Sequence, residues 1–87
     1  MSDNKQQLRL AVQAALNGDW EAAHVIAQDY SDITANWLHG VLHKIEGDIA
    51  NSHYWYARTS GSGDIAKKYT DFEDTREELN AILNHLN

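Results

Sequence analysis

The chain has 87 residues, 43% hydrophobic and 23% charged, with thirteen Asp and Glu against seven Lys and Arg and a formal net charge of −6. Ordinary globular usage excludes disorder and a coiled coil, and an acidic chain whose largest basic cluster is Lys67-Lys68 lacks the footprint needed for nucleic acid. With no cysteine there is no disulfide, thiolate nucleophile or Cys-type zinc site, so any metal would rest on His and carboxylates.

The opening "MSDNKQQLRL" lacks the layout of a signal peptide and no apolar run approaches a membrane span, so the expected location is cytoplasmic, with no membrane partner. The size predicts one domain over residues 1–87. Proline is absent, and four of the five glycines lie in or beside "NGD", "EGD" and "GSGD", where Gly ends one helix and Asp caps the next.

From near Asp3, the pattern Leu8, Leu10, Ala11, Val12, Ala14, Ala15 and Leu16 has helical period. "DWEAAHVIAQDY" then reads as a second helix of about three turns. Ser31 or Asp32 is placed to cap a third helix running to Glu46, with Trp37, Leu38, Val41, Leu42 and Ile45 as its apolar stripe. A fourth begins at Asp48, "DIANSHYWYARTS", and is closed by Gly61-Ser62-Gly63. A last segment starts at Asp64, breaks near Thr70-Asp71, and continues as an amphipathic helix carrying Phe72, Leu79, Ile82, Leu83 and Leu86.

Laying "GDWEAAHVIAQ" on "GDIANSHYWYA" exposes an internal repeat with an offset of 29 residues. Gly18-Asp19 meets Gly47-Asp48, and His24 meets His53. Leu8 falls on Trp37, Ala11 on Gly40, Val12 on Val41 and Leu16 on Ile45. Two helix-turn-helix units follow, about 3–30 and about 32–60, with a C-terminal helical segment over about 64–86.

This pattern resembles the tetratricopeptide repeat (TPR). Ala11 and Gly40 match its small position in the first helix, Gly18-Asp19-Trp20 and Gly47-Asp48-Ile49 its turn, Ala23 and Ser52 its later small position, and Tyr56 its later aromatic. The likeness covers about residues 5 to 60 and is to a short, degenerate form: the offset is 29, against about 34 in the family, no proline closes a unit, and Ala27 stands where the first unit should have its aromatic. It implies an all-α fold of about five antiparallel helices in a right-handed stack with a C-terminal capping helix, whose first helices line a protein-binding groove.

Two chemical features stand out. His39, His43 and Glu46 share one face of the third helix, opposite an apolar sector about 140° wide at about 100° per residue. H-x3-H-x2-E can offer two imidazoles and a carboxylate to zinc, non-haem iron or manganese, with His24 and His53 as further candidates. The competing reading is packing, because the equivalent positions in the first unit are Leu10, Ala14 and Asn17, which puts this face against another helix. The second feature is Tyr54-Trp55-Tyr56, sandwiched in the stack or partly exposed as an anchor for a partner.

No phosphate-cradling glycine loop and no G-x-S-x-G turn occur, and the acids between Asp71 and Glu78 lack the glycine and alternating ligands of a calcium loop. The expectation is a non-catalytic interaction or scaffold module without a cofactor, meeting a protein partner or a second copy through Trp37, Val41, Lys44, Tyr54, Trp55 and Arg58. The family's carboxylate-binding members use Lys and Asn on their groove helices; Leu8, Val12, Trp37 and Val41 stand there here and disfavour an acidic tail. The alternatives are a metal-binding protein or metalloenzyme built on His39, His43 and Glu46, and a structural subunit of a larger complex.

Overall fold

The computed structural model describes residues 3–59 and 65–86. The protein is all-α: among the described residues there are five α-helices and no strand. They are α1 (Asp3–Leu16), α2 (Trp20–Ala27), α3 (Ile33–Ile45), α4 (Ile49–Tyr56) and α5 (Thr75–Leu86), with 3-10 turns at Ala57–Thr59 and Ala66–Tyr69. None is long and apolar enough to cross a membrane.

The two Gly-Asp turns have the same backbone construction. Gly18 and Gly47 take φ of +84° and +89°, which a Cβ would oppose. Around each, two amides satisfy the orphan carbonyls of the preceding helix: Gly18 N donates to Ala15 O and Asp19 N to Ala14 O, then Gly47 N to Lys44 O and Asp48 N to His43 O. Each Asp next caps the following helix, its carboxylate accepting from Ala22 N or Asn51 N at 3.2 Å. The repeat is thus physical: α2 and α4 begin and end 29 residues apart.

Of the other boundaries, those of α3 fall where expected, with Asp32 and Glu46 flanking the helix, and the later ones differ. Asp32 stands at the start of α3, but its side chain accepts from Asn4 Nδ2 at 3.1 Å instead of capping the helix. α4 stops at Tyr56 and tightens into the 3-10 turn, where Thr59 Oγ1 donates to Tyr56 O. The expected closure at Gly61-Ser62-Gly63 and the start at Asp64 lie outside the described residues. α5 begins four residues after Asp71, capped by Asp74, whose carboxylate accepts from Glu77 N at 3.0 Å.

One core joins the helices. α1 packs on α2, α2 on α3, and α3 on α4, while α5 lies against both α1 and α3. Leu8, Val12, Leu38, Val41, Leu42 and Ile82 are wholly buried, each contributing about 1.5–3 kcal/mol of transfer free energy. Leu10 and Ile45, expected on apolar stripes, are 49% and 41% exposed: Leu10 lies on the face of α1 opposite the buried Leu8 and Val12, and Ile45 is the last residue of α3. α3 and α4 approach closely at Gly40, where an added Cβ would come within 2.9 Å of the Tyr56 ring, and Ser52 Oγ donates to Gly40 O across the contact.

Candidate metal centre between the helix pairs

His24 on α2 and His39 and His43 on α3 converge. Each offers one ring nitrogen, and the three nitrogens lie within 4.8 Å of one another. His24 Nε2 and His39 Nε2 are 3.0 Å apart. Three nitrogens bound at about 2 Å to a tetrahedral ion stand about 3.3 Å apart, so one pair is already at ligand spacing and the third is within reach of side-chain rotation.

The spacing of His39 and His43 stacks them on one face of α3, their ring centroids 4.9 Å apart, and α2 lays His24 across both. Two tryptophans hold the rings. Trp20, one turn before His24 on α2, stacks on it at 4.7 Å and donates from Nε1 to Leu42 O. Trp55 on α4 lies flat on His39 at 3.9 Å and 7°. His39 and His43 are only 6% and 7% exposed, whereas His24 is part-exposed, so the cluster opens toward solvent on the α2 side.

Glu46 is not in the converging set; its carboxylate meets His43 Nδ1 at 2.8 Å. A carboxylate oxygen accepts there, so the contact favours the proton on Nδ1 and turns Nε2 to the ligating role, the usual way a carboxylate orients a metal-binding imidazole. Burial, then the neighbouring His24 and His43, push His39 down to about 4, and burial together with His43 lowers His24. Both are therefore neutral near pH 7, the form in which imidazole ligates.

The remaining sequence candidates lie elsewhere. His53, the repeat equivalent of His24, faces Asp71 at 3.2 Å on the surface. A second group, His43, Glu46 and Asp48, is exposed at its acids, with Asp48 committed to the α4 cap and Glu46 to His43.

Of the six expected partner contacts, Trp37 and Val41 are buried at 2% and 0%, which corrects the expectation that they line an open groove. α5 covers Trp37. Trp37 Nε1 donates to Glu78 Oε2 at 2.8 Å, Lys44 Nζ to Glu78 Oε1 at 2.7 Å, and the Tyr56 hydroxyl to the same carboxylate. Tyr54 and Arg58 remain exposed with the guanidinium over the ring at 4.1 Å, and Trp55 is half-buried against His39.

Sequence reasoning missed Trp20 and Glu78. Trp20 stands one helical turn from His24, and Glu78 stands one turn before Ile82 on the apolar stripe of α5; that period was the available signal. No family model, curated protein or solved structure matches this chain.

Proposed function

We propose that the protein binds a divalent transition-metal ion, zinc foremost, through His24, His39 and His43, with Glu46 orienting His43. The convergence of three imidazoles from two helices carries this reading. An all-nitrogen set suits zinc, copper, nickel or cobalt, and it disfavours calcium and magnesium, which require oxygen ligands. Flat tryptophans on His24 and His39 fix the ring planes before any ion arrives, which lowers the ordering cost of binding.

Titration of tag-free protein with zinc against a chromophoric chelator tests this. One ion per chain is expected, with affinity lowered about 100-fold or more on removing any one of the three histidines and about 10- to 100-fold in Glu46→Gln. Zinc at about 100 times Kd should add about 2.7 kcal/mol to stability and raise Tm, reversed by chelation. Uptake far below one equivalent with an unmoved Tm sinks the reading.

A narrower interaction reading rests on α4, where Tyr54 is 49% exposed under the Arg58 guanidinium, the kind of rigid aromatic and cation that anchors interfaces. In this reading the TPR-like repeat is a scaffold offering that edge to a protein partner or a second copy. Concentration-dependent sedimentation of wild type, abolished in Tyr54→Ala, supports it; a strict monomer at all concentrations removes self-association.

A further inference from the structure

We infer that the ion held by His24, His39 and His43 keeps one coordination position for an exogenous ligand, and that this ligand is a small monoanion, with hydroxide in that position when no other anion is present. The inference rests on the metal reading above and adds what the ion is open to. Ligand number is the first argument. Zinc sites that only stabilise structure close with four protein ligands, whereas sites that act on a bound molecule hold three and leave the fourth position open. Among the described residues the converging set contains three histidines and no fourth His, Asp or Glu.

The other candidate ligands have partners of their own. Glu46 is hydrogen-bonded to His43 Nδ1, Asp48 caps α4 through Asn51 N, and His53 is paired with Asp71. Trp55 and Trp20 cover His39 and His24 with ring faces that carry no lone pair for a metal.

Charge decides the class of ligand. Imidazole ligands bring none to the coordination sphere, and the nearest carboxylates, Glu46 and Asp48, stand outside it beyond His43. The residual positive charge sits between two buried imidazoles and two indole walls, where water screens it poorly, and a monoanion is the ligand that neutralises it. Access exists on one side: His24 is the part-exposed member of the set, so a small anion reaches the ion past α2, while α3 and α4 close the opposite side.

Cobalt(II) loaded into the full-length chain in place of zinc gives a visible spectrum that reports coordination number and ligand exchange. One equivalent of bound cobalt is expected, followed by a saturable one-to-one change in its bands on adding azide or acetate, reversed by dialysis with cobalt retained. A spectrum that stays unchanged to about 0.1 M azide, a hundredfold above a millimolar Kd, overturns this inference while leaving the metal site standing. Cobalt released to solution by the anion overturns it too. Failure to take up cobalt or zinc at all overturns both readings.

Discussion

Gly40 sets how near α4 comes to α3. A methyl group there would sit 2.9 Å from two Tyr56 ring carbons and 3.4 Å from Ser52 O, and the ring has no slack: Tyr56 is 1% exposed, and its hydroxyl is fixed on Glu78. Alanine would gain about 1 kcal/mol of helix propensity, but overpacking a core contact costs about 1–3 kcal/mol, so Gly40→Ala should lose up to about 2 kcal/mol net. A urea midpoint below wild type at unchanged m-value is the expected result; a midpoint above it would mean that the ring moves freely. The first unit solves this contact differently, with Ala11 and Ala27 where the second has Gly40 and Tyr56, so a small pair replaces a glycine and a large ring. The missing aromatic at Ala27 is therefore a packing choice that one sequence unit alone does not reveal.

At the level of elements, the Gly-Asp turns were readable because they need particular chemistry, a left-handed residue followed by a short carboxylate. The start of α5 was less readable: Asp71 and Asp74 lie in one acidic run with the same capping chemistry, and in the fold Asp74 is the cap. What docks it, beside Leu79, Ile82 and Leu86, is the buried Glu78 with its three donors. Burial raises the carboxyl of Glu78, opposed by the hydrogen bonds from Lys44, Tyr56 and Trp37. Removing one partner leaves the other charge uncompensated, so Lys44→Met should cost about 3–5 kcal/mol. Glu78→Gln keeps an acceptor for Trp37 but drops the charge, and the double variant should be less destabilised than the sum of the two by about 0.5–3 kcal/mol. Chemical denaturation of the four proteins measures that coupling. Strict additivity would show that the groups act independently, and α5 would then owe its place to apolar packing alone.

For the whole molecule, the histidine cluster was half legible. His39 and His43 share a face by their spacing, but His24 joins them only because the second helix of one unit lies against the first helix of the next. The same logic explains His53: its neighbour in a longer array would be a third unit, and here it meets Asp71 instead. The cluster makes the stability of the metal-free fold depend on pH. His39 is held down to about 4 in the folded chain and titrates near 6.5 when unfolded, with His24 shifted in the same direction. Between those values the unfolded state binds more protons, so stability rises with pH across about 4 to 6.5 and levels off above it. Glu78 works in the opposite sense, since its raised folded value favours the fold below the carboxylate range and loses that contribution as pH rises. A comparison with His39→Leu, which installs the residue found at the equivalent Leu10, removes the Glu78 contribution because both proteins share it. Urea midpoints in chelator should show wild type losing about 1–2 kcal/mol more than His39→Leu between pH 7 and pH 4.5, a figure discounted for solvent on the open side of the cluster. Parallel pH profiles would mean that the folded cluster protonates as readily as the unfolded chain, and that the site is wetter and looser than its geometry shows.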